Sequence, residues 1–446
     1  MSARQRLEGI VSNRLDESEY IANFSDMHPP LDNHEAVVEA ERCYFCYDAP
    51  CVQACPTSID IPRFIRQIMT GNIDGSAKTI FDQNILGGIC ARVCPTETLC
   101  EQACVREIAE GKPVKIGLLQ RHATDAAMAD GKQFYERAAE TGKKIAVVGA
   151  GPAGLACAHR LSIYGHQVVI YDRQIKPGGL NEYGIAAYKT PDRFAQAEID
   201  YITAIGGISI ECGKSLGVDF TLDDLAASHD AVFIGIGLAS VNSLGLADES
   251  TDGVASATDY IASLRQAEDL SSLPVGRRVV VIGGGMTAID VAVQAKLLGA
   301  EEVTIAYRRG PESMNASAYE QHHAQHHGVT IRHWLQPDKL DMEDGRLKGV
   351  TMRYTTMEDG KLVATDDTTY LAADQVFRAI GQKMDDQQVS GLEIRQGRIV
   401  INADGSTSRP GIWAGGDCTA SGDDLTVTAV AQGRDAAEAI HKTLMG

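Results

Sequence analysis

A short apolar strand running straight into a glycine-rich turn and then a helix occurs twice in this chain, and few features restrict a fold as strongly. Lys144-Ile145-Ala146-Val147-Val148 leads into Gly149-Ala150-Gly151-Pro152-Ala153-Gly154, and Gln167-Val168-Val169-Ile170-Tyr171 supplies a second strand after a helix-length interval. Arg277-Arg278-Val279-Val280-Val281-Ile282 leads into Gly283-Gly284-Gly285-Met286-Thr287-Ala288-Ile289-Asp290, with its second strand at Glu302-Val303-Thr304-Ile305-Ala306-Tyr307. Strand, glycine turn, helix and strand in that order make a βαβ unit and predict a parallel sheet. The glycines allow a tight turn and let a pyrophosphate approach a helix N-terminus, where free N–H groups and the dipole stabilise its charge.

Each unit carries its own cofactor cue. Asp172, followed by Arg173, ends the second strand of the first unit and is placed to accept hydrogen bonds from a ribose. Trp413-Ala414-Gly415-Gly416-Asp417 is a strand-to-turn segment similar to one that holds the flavin ribityl chain in disulfide-reductase-type flavoproteins. The two together predict FAD at the first loop. The second loop is expected to bind NADH or NADPH. Its second strand ends in Tyr307-Arg308-Arg309 where an acid would mark NADH, and an arginine there can pair a 2′-phosphate. That leans towards NADPH, unless the arginines are solvated or hold the adenine. Asp230–Gly237 and Asp374–Gly381 echo each other as apolar strands ending in glycine, suited to close backbone approach at a cofactor.

Eight of the eleven cysteines fall between Cys43 and Cys104. The first group is Cys43-x2-Cys46-x4-Cys51-x3-Cys55-Pro56, the second Cys90-x3-Cys94-Pro95-x4-Cys100-x3-Cys104. Without an export signal, such clustering reads as metal ligation rather than disulfides. Soft thiolates match iron, eight suffice for two four-ligand clusters, and a Cys followed by Pro often ligates the other cluster. Structural zinc is the competing reading; the ferredoxin-like spacing and the flavoprotein motifs downstream favour iron–sulfur. Cys157, Cys212 and Cys418 lie in apolar or glycine-rich surroundings and read as inert core. His322, His323, His326 and His327 could offer a metal two faces of a helix, but with no cysteine or carboxylate companions they read as a solvated face.

Length and charge bound the rest. A chain of 446 residues suggests roughly three domains. Against 60 Asp and Glu stand 41 Lys and Arg, and the net charge of -19 opposes binding to a polyanion. No apolar run reaches the roughly 18 residues of a membrane span, and the charged N-terminus lacks a signal core, so a cytoplasmic location is expected. The predicted fold class is α/β. Residues 1–140 form an N-terminal α-helical domain with two 4Fe-4S clusters, its first 30 or so residues an arm or short helix leading in. Two Rossmann-like domains follow: an FAD domain of residues 141–255 and 386–446, with an NAD(P) domain of residues 256–385 inserted.

In this order, Cys43 to Cys104, the Gly149 loop, Gly178-Gly179-Leu180, the Gly283 loop and Gly415-Gly416-Asp417 resemble the electron-input half of dihydropyrimidine dehydrogenase and its relative, the glutamate synthase small subunit. Ile116-Gly117-Leu118-Leu119-Gln120-Arg121 looks closer to the pyrimidine branch, which has a glutamine ligand in one cluster where glutamate synthase subunits tend to have glutamate. The resemblance implies that Cys43, Cys46, Cys51 and Cys104 hold one 4Fe-4S cluster, and that Cys55, Cys94, Cys100 and Gln120 hold the other. Chemistry alone makes Cys90 the eighth ligand and Gln120 an ordinary helix residue. Further flavin contacts are implied at Gly179, Leu180, Lys189, Leu216, Gly416, Asp417, Thr426 and Val427, and a nucleotide contact at Ala379, Ile380 and Gly381. Met286, where aspartate is frequent, and Asn315, in place of a basic residue that helps hold the 2′-phosphate, depart from the pattern.

The same resemblance implies hydride transfer from NAD(P)H to FAD and onward transfer through the clusters. The single-chain pyrimidine enzyme continues into an FMN-binding β/α barrel and a second ferredoxin-like domain, whereas this sequence ends at Gly446. The barrel, its FMN and the uracil or thymine site are therefore expected on a partner subunit, in a heterodimer or heterotetramer. Two other readings stand beside this one: a glutamate synthase small subunit feeding a glutamine-dependent large subunit, and a scaffold whose cofactors are vestigial.

Overall fold

Strands buried on both faces read as unbroken apolar runs, and the two strongest such runs, Lys144–Val148 and Arg278–Gly283, each become the central strand of a five-stranded parallel sheet. The computed structural model describes residues 7–238 and 240–446. They divide into two units, one of His28–Glu182, 192–238 and Met384–Gly446, the other of 7–27, Tyr183–Pro191 and Ser240–Lys383.

In the first unit the sheet runs Ile412–Ala414, Ala231–Ile234, Lys144–Val148, Gln167–Asp172, Ile208–Cys212. Helices Ile61–Met69, Ile73–Phe81, Gly87–Val93 and Ile116–Ala129 share its apolar core. Ile61, Phe64, Ile65 and Ile68 recur at helical spacing and are all buried, which turns one stripe of that helix inward. The cysteine-bearing loops are half-buried against this core, with Cys43, Cys51, Cys55, Cys94, Cys100 and Cys104 all packed on it. No helix among the described residues is long and apolar enough to cross a membrane.

In the second unit the sheet runs Val329–His333, Glu302–Tyr307, Arg278–Gly283, Gln375–Ala379, Val254–Ser256. A three-stranded antiparallel sheet of Leu335–Glu343, Arg346–Glu358 and Lys361–Ala372 accompanies it.

The two sheets are built with the same clip. Asp230, at the head of its strand, accepts the Lys144 N–H at 2.9 Å on its carboxylate and returns its own N–H to the Lys144 carbonyl at 2.8 Å. Asp374 does the same to Arg278, at 2.9 Å in both directions. Each clip carries a cation, Lys143 on Asp230 at 3.0 Å and Arg278 on Asp374 at 3.0 Å. At the far end of the clipped strands the glycine turns begin. Gly149 has φ of +103°, and a Cβ there would run into the Gly235 carbonyl; a Cβ on Gly283 would run into the Ala379 carbonyl. The echo between Asp230–Gly237 and Asp374–Gly381 is thus a structural duplication, in which aspartate fixes the strand at one end and backbone crowding demands glycine at the other.

The N-terminal arm, expected to lead into the helical domain, packs along the unit that contains the Gly283 loop. Ile10–Val11 pairs antiparallel with Val275–Gly276. Arg14 is fully buried and donates to the carbonyls of Val275 at 2.9 Å, Leu7 at 2.9 Å and Gly9 at 2.5 Å. Asn23 adds a bond to the Leu297 carbonyl at 2.9 Å. Replacing Arg14 by alanine removes three hydrogen bonds and leaves a cavity, which should cost roughly 2–4 kcal/mol. The measurement is the urea midpoint for loss of structure around Trp334, and an unshifted midpoint would show that the arm adds nothing to this unit.

Candidate functional site

None of the eleven cysteines is in a disulfide. Those of the two sequence groups come together in space in a different partition from their order in the chain. Cys43 feels Cys104 and Cys46, and Cys51 feels Cys43 and Cys104. Burial first, and then those neighbouring thiols, push Cys51 up to about 12. Cys94 is raised by a hydrogen bond with Cys90, by burial, and by Cys100 and Cys55 nearby; burial, then Glu101 and Cys55, raise Cys100. Such thiols stay protonated at neutral pH unless a multivalent metal centre stabilises the thiolates. Among the described residues no three Cys, His, Asp or Glu side chains converge on one metal ion. The donor set, thiols that influence one another's ionisation, is of the kind iron–sulfur ligation uses. His322 and His326 are exposed on their helix, while the His323 ring lies 5.5 Å from that of Tyr188.

Both residues competing for the last ligand position are buried beside the Gly87–Val93 helix, which ends at Cys94. Cys90 is inside that helix, 2% exposed, and engaged with Cys94. Gln120, on Ile116–Ala129, is 8% exposed and donates from Nε2 to the Gly87 carbonyl at 2.7 Å. That bond orients the Gln120 amide.

Around the first glycine turn, Gly151 stands at the N-cap and Pro152 opens helix Pro152–Ile163, the position where a missing N–H costs least. Asp172 accepts the N–H of Ala150 at 2.7 Å and of Gln174 at 2.8 Å, and burial raises its pKa. Its carboxylate therefore braces the turn itself. Arg173 is exposed. Gly178 donates to the Ala150 carbonyl at 2.8 Å, and a Cβ on Gly179 would sit 2.8 Å from the Cα of Gly151, so two backbones touch here. Leu180 is exposed at 38%. Ala153 packs its carbonyl against Gly433 of helix Thr426–Met445, and Val427 in the first turn of that helix is buried. Thr426 bonds Asn181 at 3.1 Å, Gly416 donates to Gln432 at 2.6 Å, and burial lifts Asp417 to about 6. Gly154 lies against the Gly149 carbonyl and Leu216 is 3% exposed. This glycine-lined cradle fits a dinucleotide.

The second turn is built alike, with a different brace. Gly285 stands at the N-cap of helix Met286–Leu297, which takes in Thr287 and Ala288. Where the first unit has Asp172, the second has Tyr307, whose ring packs across Gly284 and whose hydroxyl bonds the Ser313 carbonyl at 2.5 Å. Arg308 is exposed and Arg309 half-buried; their carbonyls are held by Thr355 Oγ1 at 2.8 Å and the Trp334 N–H at 3.2 Å. Ala379 ends the strand Gln375–Ala379 and Ile380 and Gly381 follow it, with Asn242 donating to the Ile380 carbonyl at 3.2 Å. Lys189 belongs to this unit, buried between Asp290 and Glu320 at 2.8 Å each. Burial alone would lower its pKa, but the two carboxylates outweigh that and hold the ammonium above its usual range. Nothing local in the sequence singles out those two partners.

A family described as dihydropyrimidine dehydrogenase domain II, 4Fe-4S cluster, matches residues 20–132, and the pyridine nucleotide-disulphide oxidoreductase family matches residues 143–433. The NAD-dependent dihydropyrimidine dehydrogenase subunit PreT of Escherichia coli (strain K12) is 36% identical over 421 residues, 94% of this chain and 97% of that protein. The glutamate synthase (NADPH) small chain of the same organism is 35% identical over 449 residues, 94% of each. Among solved structures, FprA of Mycobacterium tuberculosis in complex with NADPH superposes with a TM-score of 0.56 at 18% identity, over 68% of this chain and 84% of that one. Thioredoxin reductase of T. acidophilum gives 0.55 at 21% identity, over 68% and 100%. These two likenesses are of fold. The chain belongs to the pyridine nucleotide-disulphide oxidoreductase family, in its group of NAD(P)-dependent iron–sulfur flavoproteins that includes the dihydropyrimidine dehydrogenase subunit PreT and the glutamate synthase small chain.

Proposed function

We propose that this chain is the NAD(P)H-oxidising subunit of a two-subunit dihydropyrimidine dehydrogenase, with an iron–sulfur domain that ends near residue 140, an FAD domain and an NAD(P) domain, the arm of residues 7–27 packing on the unit of the Gly283 loop. The observation that supports the choice of branch is Gln120, buried against the Gly87–Val93 helix with its Nε2 donating to the Gly87 carbonyl.

Bound flavin supplies the conversion of a hydride donor into single electrons, and iron–sulfur clusters carry those electrons away. The chain's own residues position and shield. The turn from Gly149 to Gly154 presents its amides to the flavin pyrophosphate, with Asp172 bracing the loop from behind. The turn from Gly283 to Gly285 does the same for the nicotinamide nucleotide. Cys43, Cys46, Cys51 and Cys104 hold one 4Fe-4S cluster, and Cys55, Cys94, Cys100 and Gln120 the other. The receiving partner is an FMN-binding β/α-barrel subunit with ferredoxin-like clusters, which interconverts uracil or thymine and the 5,6-dihydropyrimidine. The named relatives are themselves a subunit and a small chain, which supports such a division.

The glutamate synthase reading keeps the same input chemistry and is favoured by the 35% identity to that small chain. Pairing decides between them. Alone, the chain should reduce an artificial acceptor with NAD(P)H and leave uracil untouched; with a barrel partner, uracil reduction should appear. Uracil turnover by the lone chain, or activity gained only with a glutamine-dependent large subunit, would overturn the proposal.

Two substitutions test the finer assignments. Gln120→Ala should alter the electron paramagnetic resonance of one cluster while Cys90→Ala does not, and the opposite pattern makes Cys90 the ligand. Arg308 and Arg309 are proposed to read a 2′-phosphate, so replacing both by alanine should lower kcat/KM for NADPH by about tenfold to a hundredfold and spare NADH. Equal losses for both nucleotides would remove that role.

A further inference from the structure

The Gly87–Val93 helix delivers Cys94 at one end, and its other end rests on a carboxylate from a different part of the chain. Glu198, on helix Phe194–Thr203 and 1% exposed, accepts the Ile89 N–H at 2.9 Å and also that of Gly88. The approach is close: a Cβ on Gly88 would lie 2.8 Å from Glu198 Oε1 and 2.6 Å from the tip of the Phe194 ring. The charged groups that face this carboxylate are Arg92 and Asp125. Arg92 stacks on Phe194, 3.5 Å from the ring centroid, donates to the Gly88 carbonyl at 3.0 Å and pairs with Asp125 at 2.8 Å. Arg121 reaches the same Asp125 oxygen at 3.2 Å.

Glu198 is thus a buried acid with no part in nucleotide binding, set a short helix away from a cysteine. Cys94 follows Ile89 by five positions, about 8 Å along the axis at the rise of an α-helix. Across that distance in a protein interior, one unit of charge on the carboxylate is felt strongly at the sulfur.

We propose, resting on the electron-input reading above, that Glu198 is a positioning residue for the iron–sulfur group held at Cys94 and takes up a proton when that group gains an electron. One electron arrives from reduced flavin, one proton from solvent bonds to a Glu198 carboxylate oxygen, and no other bond forms or breaks. The neutral acid is already favoured before any electron arrives, because burial, against the pull of the Ile89 N–H and of Arg92, lifts the pKa to about 8. An added negative charge nearby lifts it further. Below that pKa the acid is protonated in both redox states; above it, reduction carries a proton with it. The potential of the cluster must then be level at low pH and fall as pH rises past about 8.

The test is an anaerobic redox titration of the intact protein from about pH 6 to pH 10, with each cluster followed by electron paramagnetic resonance. One midpoint should fall above about pH 8 in the wild type. In Glu198→Gln, which keeps an oxygen for the Ile89 N–H but cannot ionise, it should stay at the wild-type low-pH value throughout. A level wild-type profile, or a slope that persists in Glu198→Gln, overturns the inference. Should the variant misfold, the wild-type profile still decides. A sample lacking flavin or acid-labile sulfide would instead overturn the electron-input reading itself.

Discussion

Crowding of thiols is the constraint from which the N-terminal third of the first unit takes its form. Cys43 feels Cys46 and Cys104, Cys51 feels Cys43 and Cys104, Cys94 feels Cys90, Cys100 and Cys55, and Cys100 feels Cys55 and Cys51. Unionised, they are poor ligands; ionised without metal, they would repel one another in a half-buried setting. Short helices and capped turns hold them in place all the same, with the Ile61–Met69 and Ile116–Ala129 helices sharing the core that continues beneath the parallel sheet. Iron–sulfur ligation and the dinucleotide turn at Gly149 are for this reason parts of one folded body.

The rigidity of that body is concentrated around the Gly87–Val93 helix. Gln120 holds its first carbonyl, Glu198 its amides, and Arg92 ties it to Asp125 and Phe194. Arg92 and Arg121 are set against Asp125 within it, beside the buried acid Glu198. Every side of a seven-residue helix that could shift a cysteine is therefore under restraint.

Much of this was legible in the sequence, for physical reasons that differ from element to element. The apolar runs at Val147 and Val280, the glycine turns and the echo at Asp230 and Asp374 announced two parallel sheets, because burial on both faces and crowded turns leave residue-level marks. The aspartate clips were visible only as repetition; their bonds to Lys144 and Arg278 link strands distant in the chain. Arg14 gave no sign of full burial, since arginine normally reads as surface and the carbonyls it satisfies carry no sequence signal. Glu198 was hidden in the same way, as one acid in a helix that also carries Asp200. Lys189, implied as a flavin contact, falls in the unit of the Gly283 loop and is locked between Asp290 and Glu320, an arrangement no local pattern encodes.

The two glycine turns are near copies, yet at the end of the second strand one has aspartate and the other tyrosine. Asp172 locks the Ala150 amide from within, whereas the Tyr307 ring lies over Gly284 and is tied down through Ser313. A catalyst of this kind has to retain one dinucleotide for its lifetime and exchange the other at every turnover. At this position the two turns part: a carboxylate holds one from within, and an aromatic ring covers the other.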